Sequence, residues 1–233
     1  YDPATGRVLR TGDALPPVGE DLASIIFTLQ IPALPHERTV YLQLRSTGAR
    51  TLHVEVLPYG QAQQSNRLQE WLMGFVGAAS AIFALWALAQ WWISREKVIF
   101  AFAIKQAVAT AWAFFTTGFA RVVIGPNLPE GALTAIASTV FVWVIGVSFW
   151  FYSVLIQGYQ PWRPALQSIR IISVLLMLLP IFQWFGPIHL MLMVANTSVL
   201  VCFSLLLFGL ATAIPRRVPQ AIPLPALMTY LLV

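Results

Sequence analysis

Residues 91–106, WWISREKVIFAFAIKQ, decide the fold because they contain the break between two long apolar runs. Three consecutive charged residues, 95–97, form this break, and a membrane-spanning length of apolar sequence lies on either side. A helix needs about 20 residues to cross the hydrocarbon core at about 1.5 Å per residue. The stretch therefore predicts a short polar turn between two spanning helices, with Trp91 and Trp92 at the membrane interface.

The composition of the whole chain indicates the same class of protein. Of the 233 residues, 58% are apolar and 10% are charged, whereas about a quarter of the residues in soluble domains are charged. The net charge of +5 comes from cations in short gaps between apolar runs, a placement typical of topology signals and not of nucleic-acid binding. The single cysteine, Cys202, rules out a disulfide framework or a CxxC motif within this chain.

Six apolar runs from residue 72 onward predict membrane spans. We place them at about 72–93, 98–119, 132–156, 165–185, 188–214 and 221–233. The chain has no initiator methionine and its last residues lie inside an apolar run. We therefore expect an internal fragment of a longer protein.

The cations in the gaps predict the orientation of these spans. Alternate gaps carry most of the positive charge, on Arg95, Lys97, Arg163, Arg170, Arg216 and Arg217. The other gaps carry one cation, Arg121. By the positive-inside rule the first set faces the cytoplasm, which places the N-terminal residues outside.

The residues before the first span have a different pattern. Apolar and polar residues alternate in 24–31, 39–45 and 51–57, which predicts half-buried β-strands. Three strands are too few to close a core, so we expect residues 1–59 to be the last part of a larger extracytoplasmic β domain. Residues 60–71 are polar and predict a connector, with Asn66 as the N-cap of the first membrane helix.

Motifs for catalysis or metal binding are missing from the sequence. The spans contain no acidic residue in their interiors, and the chain has no HExxH, GxSxG or P-loop motif. Its three histidines are widely scattered. We therefore predict no catalytic residue, metal or cofactor in this segment, and the missing carboxylates also argue against a cation-driven transporter.

Four polar residues inside the predicted spans are the candidates for a functional role. Lys105 is eight residues beyond Lys97, about 12 Å deeper along a helix. It is predicted to reach back to the cytoplasmic surface, to contact another helix, or to act in signalling inside the bundle. Asn196, Thr197 and Ser198 are consecutive in the fifth span, where they form packing hydrogen bonds or line a pore, a ligand pocket or a signalling contact.

The order of these regions resembles the bacterial seven-transmembrane receptors with diverse intracellular signalling modules. RTGDALP (10–16) and YLQLRSTG (41–48) look like the end of that family's extracellular jelly-roll domain. WWISRE (91–96) is similar to the family's exit from its first helix. The fold expected from the resemblance is a mixed membrane protein, in which a polytopic α-helical bundle follows the last strands of a jelly-roll-like β-sandwich.

The resemblance implies a sensor in the bacterial inner membrane. Its periplasmic domain, similar to carbohydrate-binding modules, would detect a carbohydrate or another small ligand, and a homodimer would pass the change through the lipid bilayer. The output would be a diguanylate cyclase or a histidine kinase beyond residue 233, so the segment itself would not be an enzyme. The alternative reading is a transporter or channel subunit with a small external cap, which predicts inverted repeats and broken helices.

Overall fold

The structure of the chain is a computed structural model that describes residues 3, 8, 31, 39–43, 54–129, 131–159, 161–184 and 188–213. Six α-helices account for most of this part. They are α1 (Tyr59–Ser94), α2 (Lys97–Thr116), α3 (Phe119–Val123), α4 (Ala132–Ile156), α5 (Arg163–Leu178) and α6 (Ile188–Ala213). Short 3-10 helices follow α3, α4 and α5 at Gly125–Asn127, Gln157–Tyr159 and Leu179–Trp184.

Five helical segments in the described part are long and apolar enough to cross a membrane. They are Tyr59–Ser94, Lys97–Thr116, Ala132–Tyr159, Arg163–Phe182 and Ile188–Thr212. Each of the first five predicted spans overlaps one of these segments over most of its length, and the sixth, 221–233, lies outside the described residues. The chain is therefore a multi-pass membrane protein.

The predicted β-sandwich is wrong, because no residue that the structure describes belongs to a β-strand. Residues 39–43 and 54–57 fall in two of the predicted strands and have no regular secondary structure. Leu42, Val54 and Val56, which the alternation predicted to be buried, are 55%, 48% and 91% exposed. Alternation of apolar and polar residues predicts which side chains would share one face of a strand. A strand also needs a neighbouring strand to pair its backbone hydrogen-bonding groups. The remaining residues of the three predicted strands lie outside the described part.

Helix α1 begins at Tyr59 and not near Asn66, so the predicted connector 60–71 is helical. The segment contains no proline, and the Ala, Gln, Leu and Glu residues in it are good helix formers. Pro58 precedes the helix, and its carbonyl accepts a hydrogen bond from the Ala62 N–H at 3.0 Å. With 36 residues α1 is about 54 Å long, well beyond the roughly 30 Å of the hydrocarbon core.

The described residues form two compact units, and the first comprises Tyr1–Ala79 and Ala111–Ala137. In this unit Gly118, at φ 83°, makes the left-handed turn that separates α2 from α3. The ring of Phe119 packs on α1 at Gly74, where an added Cβ would be 3.7 Å from Cζ. Arg121, in α3, is buried at 3% exposure.

The second unit comprises Ser80–Thr110 and Ser138–Val233, and its core is built by α4, α5 and α6. One buried cluster contains Phe149, Ile156, Tyr159, Leu166, Ile169, Cys202, Leu206 and Leu210. A second contains Val142, Leu176, Met191 and Ala195. Both clusters thus consist of residues from α4, α5, α6 and the 3-10 helix after α4.

Helices α4 and α5 pack closely at Gly146. A Cβ at this position would be 3.1 Å from the Ser173 carbonyl oxygen and 3.2 Å from Leu176 Cβ. One turn away, the Trp143 indole N–H donates a 3.0 Å hydrogen bond to the Met177 carbonyl. That carbonyl lies where α5 changes to a 3-10 helix before Pro180, a residue without an N–H to donate. The indole thus adds a donor where the backbone ladder of α5 changes.

Candidate functional site

Lys105 contacts the aromatic residues near the end of α4. Its ammonium group donates a long hydrogen bond, 3.5 Å, to the Tyr152 hydroxyl oxygen. The same nitrogen is 5.1 Å from the ring centroids of both Phe151 and Tyr152, within the range of cation–π attraction. We call Lys105, Phe151 and Tyr152 the lysine–aromatic site.

The direction of the Lys105 side chain explains how two helices meet at this site. Lys105 is eight residues from the start of α2, about 12 Å, and Tyr152 is four residues from the end of α4, about 6 Å. A Cα–Cβ bond in a helix tilts toward the N-terminus, so the lysine side chain extends back toward Lys97. The ammonium therefore reaches the depth of Tyr152, where it contacts α4, and this direction is also the one that the predicted snorkelling requires.

Further aromatic rings surround the start of α2 on the same unit. Phe102, one turn before Lys105, lies 5.8 Å from Phe151 between ring centroids. Nearer to the end of the helices, Phe100 is 4.7 Å from the Trp91 ring and 6.5 Å, edge to face, from the Trp150 ring. The side chains that join α1, α2 and α4 here are thus mainly aromatic.

Three of the predicted topology determinants, Arg95, Lys97 and Arg163, lie at helix ends, and Arg170 lies within α5. Arg95 is in the turn between α1 and α2 at φ 56°, with its guanidinium 4.4 Å from the Trp92 ring. Lys97 and Arg163 are exposed first residues of α2 and α5. Arg170 donates a 2.7 Å hydrogen bond to Gln157 Oε1, which joins α5 to the end of the α4 segment. Arg216 and Arg217 lie outside the described residues.

The three polar residues of α6 are placed differently from Lys105. Thr197 and Ser198 donate to the carbonyl oxygens of Met193 and Val194 in their own helix, at 2.9 and 2.8 Å. Both also line a shallow groove between α5 and α6 whose other lining residues are apolar. Asn196 is exposed on α6. Thr197 and Ser198 thus form hydrogen bonds within α6 and line the groove beside α5, whereas Lys105 contacts α4.

Sequence reasoning missed the partners of Lys105 and the burial of Arg121. Phe151 and Tyr152 are two of many aromatic residues, and no sequence signal pairs them with a lysine 47 positions earlier. Arg121 could have been noticed in the sequence, because it is the one cation in the gaps that the positive-inside rule places outside. A cation that the positive-inside rule disfavours at such a place indicates a local structural or functional reason for it.

The described residues contain no group of three or more His, Cys, Asp or Glu side chains that could hold a metal ion. The site at α2 and α4 instead combines one cation, one hydroxyl group and two aromatic faces inside membrane-spanning segments. The cation–π and hydrogen-bonding chemistry of these groups suits contact between two membrane helices. In searches for similar proteins, no protein-family model, no curated protein and no solved structure matches this chain.

Proposed function

We propose that this chain is the membrane segment of a transmembrane signalling receptor, in which the lysine–aromatic site couples helix position to output. The observation that carries the proposal is the contact of an intramembrane lysine with a neighbouring helix. Ionisable residues inside membrane spans are costly, and those that persist are commonly functional.

The chemistry of the site suits a contact that forms and breaks. Cation–π attraction contributes about 0.5–2 kcal/mol, and the hydrogen bond from the ammonium group is weak because of its 3.5 Å length. Contacts of this strength can differ between two helix arrangements, and a ligand then shifts their populations by binding one arrangement better.

Helix α1 supplies a mechanical connection for an external signal. The apolar part of α1 accounts for about 22 residues, so the part from Tyr59 to Glu70 projects about 18 Å from the bilayer. The helix is continuous to Ser94, next to the turn that starts α2. A displacement of its outer end would therefore reach the turn that contains Arg95.

The rest of the proposal concerns parts of the receptor on either side of this segment. A small ligand, such as a carbohydrate, would be sensed in the periplasm by residues that precede α1. The output would be a diguanylate cyclase or histidine kinase domain beyond residue 233, in the cytoplasm of a bacterial cell. The cations of the α1–α2 and α4–α5 turns support this orientation, because positively charged short loops remain on the cytoplasmic side.

The test uses the full-length protein, purified and reconstituted into liposomes. We expect it to convert GTP to cyclic di-GMP or to phosphorylate itself from ATP, and to keep the fluorescence of an entrapped dye constant. The matched control is the same preparation of a variant with the output module inactivated. Loss of both enzymatic activities together with uptake or release of solutes by the reconstituted protein would reject the receptor and favour a transporter or channel.

The orientation of the spans can be tested independently by cysteine labelling, because the native cysteine is not accessible to the reagent. Cys202 is fully buried, so a membrane-impermeant maleimide should label only an introduced cysteine. In spheroplasts we expect labelling of Asn127→Cys, and labelling of Glu96→Cys only after permeabilisation. Both positions are exposed, and the unsubstituted chain is the control. The reverse pattern would place the α1–α2 turn outside and contradict the proposed orientation.

A further inference from the structure

The turn between α1 and α2 holds an exposed arginine against two tryptophan rings. The guanidinium carbon of Arg95 is 4.4 Å from the Trp92 ring centroid and 5.4 Å from the Trp91 ring centroid, both within cation–π range. Trp91 packs in turn on Phe100 of α2, at 4.7 Å between ring centroids. These rings hold the Arg95 guanidinium at a defined place, although the side chain is exposed.

The backbone of the turn does not explain why an arginine is at position 95. Within the part of the chain that the structure describes, Arg95 is the one residue other than glycine with a positive φ, at 56°. Its N–H donates a 2.8 Å hydrogen bond to the Trp91 carbonyl. Glycine or asparagine adopts this left-handed conformation more easily than arginine does. The reason for an arginine here therefore lies in its side chain.

The position of the turn puts the guanidinium among lipid headgroups. The turn joins two membrane-spanning helices, and tryptophan rings at span ends lie at the level of the headgroups. A guanidinium has five N–H donors, and the described contacts of Arg95 are with rings, which offer no oxygen acceptor. Glu96 and Lys97 are also exposed, so the three residues carry one net positive charge.

We propose that the α1–α2 turn binds the phosphate group of an anionic phospholipid, with Arg95 as the main contact. The planar guanidinium presents pairs of N–H donors that match two phosphate oxygens, which an ammonium group cannot do. Lys97 adds a second cation two residues later. The net positive charge of the turn complements a lipid of net negative charge and favours it over a zwitterionic lipid. The proposal does not depend on the receptor function, because it concerns lipid binding alone.

Titration of the full-length protein with phosphatidylglycerol in a non-ionic detergent tests the site, with Tm as the readout. We expect a saturable rise in Tm, and an apparent affinity for the lipid that falls about tenfold in Arg95→Gln, as for the loss of charge-assisted hydrogen bonds. Arg163→Gln is the matched control, because Arg163 is an exposed first residue of α5 and loses the same charge. Its affinity should fall much less. Equal losses in both variants would indicate general attraction to anionic lipid and would overturn the proposal.

A second variant tests whether the tryptophan ring positions the cation. Trp92→Leu keeps the charge of the turn and should weaken lipid binding about twofold to fivefold, the contribution of an exposed cation–π contact. Trp92 is 66% exposed, so the Tm of this variant without lipid should stay within a few degrees of the unsubstituted protein. Unchanged lipid affinity in Trp92→Leu would contradict a site built by the rings.

Two other titrants identify the ligand. Phosphatidylcholine carries the same phosphate group with a compensating positive charge, and inorganic phosphate carries no acyl chains. We expect a much smaller rise in Tm with phosphatidylcholine and none with inorganic phosphate at the same concentrations. An equal rise with phosphatidylcholine would show that the turn does not select an anionic lipid. A rise with inorganic phosphate would show a site for free anions, and either result would overturn the proposal.

Discussion

Replacing Lys105 by leucine is expected to change the basal output of the full-length protein about fivefold to thirtyfold. The lost cation–π attraction and hydrogen bond together amount to about 1–2 kcal/mol, and about 1.4 kcal/mol is a tenfold change in an equilibrium. The change appears in the output only if the contact with Tyr152 differs between the two signalling arrangements. The measurement is cyclic di-GMP formation or autophosphorylation per amount of protein in the membrane.

The yield of the Lys105→Leu protein should not fall. A lysine near the centre of a span disfavours insertion by about 2.5–3.5 kcal/mol, whereas leucine favours it. An altered output at normal yield would therefore separate a signalling role from a folding defect. Unchanged output at normal yield would leave the lysine–aromatic site as a packing contact only.

Two further variants separate the contributions within the lysine–aromatic site. Tyr152→Phe removes the hydroxyl group and keeps both rings, so its effect should have the same sign and be smaller than that of Lys105→Leu. Thr110→Val is the matched control on α2, because within the described part of the chain the Thr110 hydroxyl donates to the Gln106 carbonyl of its own helix, at 2.8 Å. Its output should equal that of the unsubstituted protein.

Replacing Gly146 by leucine is expected to destabilise the protein by about 3 kcal/mol or more. Overpacking of a filled core costs about 1–3 kcal/mol, and here the nearest atoms are a backbone carbonyl oxygen and a Cβ, which cannot move aside as a flexible chain end can. For a chain of this size the loss corresponds to a fall of about 6–12 °C in Tm. Fluorescence-detected thermal unfolding in detergent would measure it.

The control for Gly146 is another helical glycine in a membrane span. A Cβ added to Gly77, in α1, would have no neighbouring heavy atom within 4 Å. Gly77→Leu should therefore keep its Tm within a few degrees of the unsubstituted protein, with a small gain from helix propensity. Equal losses of Tm for Gly146→Leu and Gly77→Leu would show that the α4–α5 crossing is not as tight as the distances indicate.

The membrane spans could be predicted from the chain itself because lipid makes a strict demand. A segment in the hydrocarbon core must satisfy its backbone hydrogen bonds internally, so an apolar run of about 20 residues becomes a helix whatever its neighbours are. For this reason the turn at 95–97 and the break before α4 lie close to their predicted positions. The N-terminal residues had no such constraint, and the residues described within 39–45 and 51–57 do not form strands although their sequence alternates.

The contacts between helices could not be read from the same composition. Lipid tails are as apolar as leucine, so hydrophobicity does not indicate which face of a span meets another helix. Gly146 was one of several glycines in the spans, and only its distances to Ser173 and Leu176 distinguish it from Gly77. Phe151 and Tyr152 are likewise set apart from the other aromatic residues only by their distance from Lys105.

Local sequence was enough to establish a multi-pass membrane protein and to single out Lys105 and Asn196 as polar residues inside its spans. Both conclusions depend on the free-energy cost of placing polar groups in lipid. Tertiary packing was needed to separate their roles. It brings Lys105 to the aromatic rings of α4 and leaves Asn196 exposed on α6. The reason is physical, because helix–helix contact in a bilayer depends on shape and on hydrogen bonds between distant residues, which neighbouring residues along the chain do not encode.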